Sequence, residues 1–267
     1  MPPTAPATPA DLLTTALRRD GAAPLVTFYD DVSGERTELS ATTLANWVAK
    51  TANLLQEEFD IGPGSTVGIA LPVHWQTAAV LLGTWSCGAA VWETAAEDDD
   101  RLADADVVLA DADRLPVLEE LGLHELLGLS LHPLGMGMTG YTGPARDYAL
   151  EVRAHGDVFA PWQPVDPSGP GLRAGALELT LAGLVAAASE LADRLGVVAG
   201  DRVLVDQQTA VEAGPVAWLL APLAAGASLV LCRAALPSGL QRRAETERVT
   251  ATLGLKLDGI RELGRPA

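Results

Sequence analysis

At 267 residues with 48% hydrophobic side chains, the chain can fill a substantial core, as one large domain or two modest ones, and it is not a disordered polymer. Eighteen basic residues stand against thirty-five acidic ones, a net charge of −17. With no basic block anywhere, this excludes tracking of a nucleic-acid backbone and disfavours charge-driven binding to anionic lipid headgroups.

Met1 to Pro9 is rich in proline, alanine and threonine, without a charged n-region or an apolar h-region, so residues 1–10 read as a disordered lead and not as a signal peptide. A short helix is expected over Asp11 to Arg19, with Asp11 as its N-cap. Leu25 to Tyr29 and Arg36 to Leu39, joined by Asp31-Val32-Ser33-Gly34, read as a hairpin. Ser40 then caps an amphipathic helix over 41–58, in which Leu44, Val48, Ala52 and Leu55 recur at helical spacing. Past the Gly62-Pro63-Gly64 turn come a strand at 67–71, a helix at 75–87, a strand at 89–92, a buried strand at 106–110 and a helix near 115–121. Strands alternating with helices predict an α/β fold, mainly parallel sheets flanked by helices on both faces. Cys87 and Cys232 each lie in an apolar run without a Cys-x-x-Cys or Cys/His spacing, and read as buried free thiols in a reducing, cytoplasmic compartment.

The second part of the chain repeats the first. A helix to Leu195, a glycine turn at Val198 to Asp201, a strand at 203–205, a helix at 214–225 and a strand at 226–231 follow the earlier elements at a steady offset of roughly 136 to 138 positions. Two related, pseudo-duplicated α/β halves are therefore expected, at 11–122 and 166–267, with a connecting segment at 123–165. Ala213 to Cys232 carries no charge and has the length of a membrane span, but Pro215, Pro222 and Gly226-Ala227-Ser228 divide it into a buried helix, a turn and a strand. Within the connecting segment, Gly135 to Pro144 reads as a flexible loop, and Ala149 to Val152 as a strand. Thr250 to Leu255 is expected to be the last buried strand.

Between the halves, Asp166-Pro167-Ser168-Gly169-Pro170-Gly171-Leu172-Arg173-Ala174-Gly175 is rich in glycine and leads toward a helix starting near Thr180. Such a segment aims backbone N–H groups and a helix dipole at phosphates, yet here it lacks the usual cation. With Leu39-Ser40, Gly62 to Pro72, Ala199 to Leu204 and Leu220 to Ala227 in this order, the chain resembles the N-terminal domain of the acyl-adenylate-forming enzymes, the acyl-CoA synthetase superfamily, over roughly Leu12 to Leu255. In that family the loop reads Ser-Gly-Thr-Thr-Gly-x-Pro-Lys-Gly-Val and continues to a Thr-His pair. Ser168, Gly169, Thr180 and Leu184 match it. Pro170 and Gly171 stand where the family has threonines, Leu172 where it has glycine, Gly175 where it has lysine and Leu181 where it has histidine. The threonine hydroxyls and the lysine charge would serve the triphosphate, and Pro170 lacks even a backbone N–H. No Tyr-Gly-x-Thr-Glu segment follows, and the chain stops at Ala267 without the family's C-terminal domain.

The resemblance thus implies a non-catalytic, truncated homologue that requires no cofactor, ATP and Mg²⁺ included, and binds a protein partner or a small acyl or nucleotide-like ligand. Ser168, Gly169, Gly171, Arg173 and Thr180 are the remnant of the phosphate loop. The alternatives are an enzyme with a remodelled pocket, an active site completed by another chain, and a scaffold or dimerisation module that forms a homo-oligomer. No other pattern competes. His74, His124, His132 and His155 are scattered, and Glu97-Asp98-Asp99-Asp100 has the spacing of a solvated turn and not of a calcium loop. Trp47, Trp75, Trp85, Trp92 and Trp218 read as packing residues and Trp162 as a loop anchor. Ser168 has no evident base partner, and the Gly196 to Gly200 turn is no dinucleotide fingerprint.

Overall fold

The computed structural model describes residues 5–93, 100–175 and 177–264; Glu97, Asp98 and Asp99 of the acidic run lie outside them. Helix α1 (Pro9–Asp20) starts two residues before the expected cap, because Pro9 suits the first helical position and Thr8 takes the N-cap. Asp11 instead sits at the third helical position, its carboxylate accepting the Thr8 N–H at 2.9 Å in a capping box. Strands β1 (Pro24–Asp30) and β2 (Glu35–Ser40) form the expected antiparallel hairpin. The Ser40 hydroxyl accepts the Thr43 N–H at 3.1 Å and so caps α2 (Ala41–Phe59), whose Leu44, Val48, Ala52 and Leu55 are buried.

Next come β3 (Thr66–Ala70), α3 (Trp75–Ser86), β4 (Ala90–Glu93), β5 (Val107–Asp111), α4 (Leu115–Leu118), β6 (Leu126–Leu129), β7 (Arg146–Asp147) and α5 (Tyr148–Val152). Helix α5 corrects the strand expected at Ala149 to Val152. Asp147 caps it, accepting the Ala149 N–H at 2.9 Å, and four apolar-leaning residues behind such a cap wind into one helical turn. The chain then forms β8 (Pro170–Ala174), β9 (Leu177–Thr180), α6 (Leu181–Leu195), β10 (Arg202–Asp206) and α7 (Gln207–Pro215). After a π-turn at Val216–Leu220 follow α8 (Ala221–Ala225), β11 (Ser228–Arg233), α9 (Pro237–Thr246), β12 (Ala251–Thr252) and β13 (Arg261–Glu262). Gly214, at φ +70°, kinks the chain just before Pro215 within the uncharged stretch, and among the described residues no helix is long and apolar enough to cross a membrane.

The strands make two sheets, ordered β13-β12-β10-β11-β1-β2 and β7-β6-β5-β3-β4-β8-β9, with every pairing parallel except the two hairpins. Both faces of β3, β5, β10 and β11 are covered, which is why these strands are near-continuous apolar runs. The lateral order β12-β10-β11 in one sheet matches β5-β3-β4 in the other, as the sequence repeat predicts. Each hairpin, however, joins the sheet of the other sequence half: β1 pairs with β11, and β8 pairs with β4. The described residues accordingly gather into two compact units. The first draws on Met1–Leu44, Val73–Trp75 and Leu184–Ala267, and the second on Ala45–Pro72 and Gln76–Gly183, so the spatial division differs from one drawn along the sequence.

Trp75, Trp85 and Trp218 are buried, as their apolar surroundings predict, and Trp92 lies against the Arg101 guanidinium, 4.9 Å from ring centroid to charge. Cys87 and Cys232 are buried free thiols, each pushed up to about 12 by burial. In the first unit, Glu247 is nearly covered and gathers three donors: Tyr29 Oη at 2.5 Å and Arg36 Nε at 2.9 Å on one oxygen, Arg202 Nη2 at 2.6 Å on the other. Burial works against its charge, but these hydrogen bonds outweigh it and hold the carboxyl at about 2.

Candidate functional site

Residues 166–183 are not the open phosphate loop that their glycine content suggests, because half of them are strand. Asp166 opens the segment with a turn. Its carboxylate accepts both the backbone N–H and the hydroxyl of Ser168, at 2.9 and 2.8 Å, and its carbonyl accepts the Gly169 N–H at 2.9 Å. The Ser168 bonds hold the Asp166 carboxyl below its usual range, so an anionic group guards the turn. Beyond it, β8 and β9 pair from Pro170↔Thr180 to Ala174↔Leu177, leaving a two-residue connection that starts at Gly175. Gly175 has φ +60°, the left-handed value that a primed hairpin turn needs at this point. The residue at the family's lysine position is thus a turn glycine on a hairpin tip. A side chain there would face open space and a strained backbone.

Every expected contact group in this segment is already occupied. Thr180 caps α6, its Oγ1 accepting the Gly183 N–H at 2.9 Å, while Gly169 and Pro167 carbonyls accept the N–H groups of Leu181 and Ala182 at 2.9 and 2.8 Å. The first three N–H donors of α6, which would face an anion, therefore bond the protein itself. Arg173 donates to Glu178 Oε2 at 3.0 Å, its cross-strand partner, and to Thr66 Oγ1 at 2.6 Å. Gly171 is buried, and its carbonyl accepts the Trp85 indole N–H at 2.7 Å. Leu172 is buried against β4 at the Val91 register position. The structure thus brings Ser168, Gly169, Gly171, Arg173 and Thr180 into one hairpin, with its local charge set by Asp166, Arg173 and Glu178.

Replacing Thr180 with alanine removes the cap and frees one donor at the start of α6. The expected loss is about 1 kcal/mol of unfolding free energy in urea titration. A serine at this position should restore it.

Two features here had escaped the sequence reading. Trp85 is the hairpin's anchor, and only its position in the last turn of an apolar helix hints at that. The approach to the hairpin is strapped to α2 by side chains: Lys50 donates to the His155 carbonyl, Asn53 to those of Gly156 and Val158, and Gln56 to that of Ala160. Gln56 also accepts the Trp162 N–H at 2.8 Å, so Trp162 anchors through its backbone while its ring stays 64% exposed. The visible signal was a polar stripe, Lys50, Asn53, Gln56 and Glu57, on an otherwise apolar helix. The Gly135 to Pro144 loop is fastened too, with the Met138 N–H bonded to Asp147 at 2.6 Å.

The four histidines occupy four different settings. His74 is buried edge-on to Phe28, centroids 4.3 Å apart, and His155 sits 2.9 Å from Glu57. His132 Nδ1 accepts the Leu134 N–H at 3.1 Å, and His124 lines a small cavity of about 180 Å³ with Glu119 and Arg146. Among the described residues no three histidine, cysteine, aspartate or glutamate side chains gather as a metal site.

The fold is similar to that of solved acyl-CoA synthetases and CoA ligases. The anthranilate CoA ligase AuaEII, solved in complex with anthranoyl-AMP, superimposes with a TM-score of 0.74 at 16% identity, over 92% of this chain and 49% of the ligase. The N-terminal domain of FACL13 from Mycobacterium tuberculosis superimposes with a TM-score of 0.72 at 15% identity, over 92% of this chain and 62% of that one. The chain spans about half the length of the ligase, and at these identities the likeness establishes the fold. At the level of sequence, it is 46% identical over 250 residues to a TIGR03089 family protein of Mycobacterium tuberculosis (strain ATCC 25618 / H37Rv), covering 91% of this chain and 96% of that protein. The chain belongs to the TIGR03089 family. No family model matches it.

Proposed function

We propose that this protein is a non-catalytic relative of the adenylate-forming ligases that acts by binding, as a regulatory or partner-binding protein. One observation carries the reading: the donors that would meet a triphosphate are spent inside the protein, at Leu181, Ala182, Gly183 and Arg173. Opening them to ATP would cost several hydrogen bonds at once, each worth about 1 kcal/mol net, with no lysine to compensate at Gly175. The anionic Asp166 and Glu178 raise that cost further.

The test is pyrophosphate exchange from ATP and Mg²⁺ with a panel of aliphatic and aromatic acids, run beside calorimetric titration of ATP. The expected result is no exchange above buffer and no saturable heat. Acid-dependent exchange would overturn the proposal.

A further inference from the structure

A concave surface on the first unit is lined by neither the hairpin nor the strap. Strands β10 and β11 run parallel, with Asp206 opposite Cys232, so their C-terminal ends open side by side. That end of a parallel sheet is where α/β folds leave ligand crevices. Here the start of α7 and the segment after β11 enclose an open cavity of about 570 Å³, with Asp206, Gln208, Val211 and Glu212 on one wall and Ala234 and Ala235 on the other.

Charge, apolar rim and shape restrict what this cavity accepts. Its charge is negative: Asp206 spends Oδ1 on the Thr209 N–H at 2.8 Å, Glu212 accepts the neutral Gln208 amide at 2.9 Å, and among the described residues no lysine or arginine lines the walls. The neighbouring cation, Arg233, is 3.6 Å from Asp30. The apolar side chains here are open to solvent, with Val211 of the lining 54% exposed and Leu236, next in the chain to Ala235, 64% exposed. Asp31 Oδ2 accepts the Leu236 N–H at 3.0 Å, which fastens the segment after β11 to the end of β1. The alanine wall is low, and Ala234, at φ +48°, turns the chain sharply away from β11.

We propose that this groove docks a segment of a partner protein in which lysine or arginine alternates with aliphatic side chains. An exposed ion pair contributes at most about 1 kcal/mol, so a small amine held by Glu212 alone would bind too weakly to matter. A segment that places a cation against Asp206 and Glu212 while covering Val211 and Leu236 combines charge complementarity with apolar burial. The net charge of −17 steers such a cationic segment toward the protein. This goes beyond the non-catalytic reading and stands whether or not the hairpin binds nucleotide.

Fluorescence anisotropy with labelled synthetic hexapeptides tests it. The probe alternates leucine or valine with lysine; one counterpart carries glutamate for lysine, and another serine for the aliphatic residues. The lysine probe should bind about tenfold more tightly than either counterpart, and binding should weaken with salt. The double variant Asp206→Asn with Glu212→Gln, in which asparagine keeps the helix cap, should lose about fivefold or more. Val211→Lys, an exposed change on α7, should lose as much and serves if the double variant fails to fold. Glu190→Gln with Asp193→Asn on α6 makes the same change in net charge and should leave affinity unaltered. Equal binding of the three peptides, or equal weakening by the α6 control, would overturn the proposal in favour of diffuse attraction to an acidic surface.

Discussion

Glu247→Gln is expected to lower the unfolding free energy by about 3 kcal/mol near neutral pH, the value of a carboxyl held about two units or more below its unfolded range. The amide cannot neutralise Arg36 and Arg202, and it presents only one acceptor oxygen to three donors. Most of the loss comes from Arg202, which is largely covered and keeps only the longer, more exposed contact to Glu38 at 3.6 Å. Tyr29 adds to it, since it also lies beneath two guanidinium groups, Arg243 at 4.8 Å and Arg36 at 5.8 Å from its ring centroid. The pH dependence follows from the direction of the shift. A carboxyl with a depressed native pKa contributes fully above its unfolded pKa, near 4.3, and loses its contribution as pH falls toward about 2. Urea titrations between pH 6 and pH 2.5 should therefore show wild type and Glu247→Gln converging as acid is added. Parallel lines would refute the assignment of this stability to Glu247 ionisation.

Trp85→Ala should cost about 3 to 5 kcal/mol, the usual range for emptying a buried tryptophan site. The informative variant is Trp85→Phe, which keeps most of the volume but leaves the Gly171 carbonyl without its indole donor. A loss of about 1 to 3 kcal/mol is expected, the desolvation penalty of an orphaned buried acceptor. Because that bond fastens β8, hydrogen exchange in Trp85→Phe should quicken at Leu172 and Leu179 before it changes in β5. Uniform acceleration through both strands would mean that Trp85 contributes only to global stability.

Much of the fold could be read from the chain because its signals are local. Val203 to Val205 and Val107 to Ala110 are apolar runs flanked by turns, and Ser40 stands directly before an apolar period of 3.6. The reading of Ala149 to Val152 failed because four apolar-leaning residues fit one helical turn as well as a strand; Asp147, an available cap, was the deciding signal. The hairpin at 170–180 was taken for a loop because glycine and proline dominate its start. Gly175, placed between Leu172-Arg173-Ala174 and Leu177-Glu178-Leu179, marks a two-residue turn between alternating runs. The family register drew attention to the altered positions, but it could not reveal that backbone donors around them are spoken for. That depends on carbonyls of Pro167 and Gly169 meeting α6, and on a tryptophan more than eighty residues earlier. Long-range strand pairing was equally invisible, since no local pattern says that β1 belongs beside β11.

That exchange of hairpins gives the chain the connectivity of a domain-swapped dimer written into one polypeptide. Each repeat lends its antiparallel edge to the other, so neither repeat can close its own sheet from its own residues. Covalent fusion removes the concentration dependence that would limit two free copies. It also builds each sheet from contacts made across much of the chain, which slows folding. Residues 123–165 are then more than a spacer: they supply β6 and β7 to one edge of the second sheet before the chain reaches β8 at the other side.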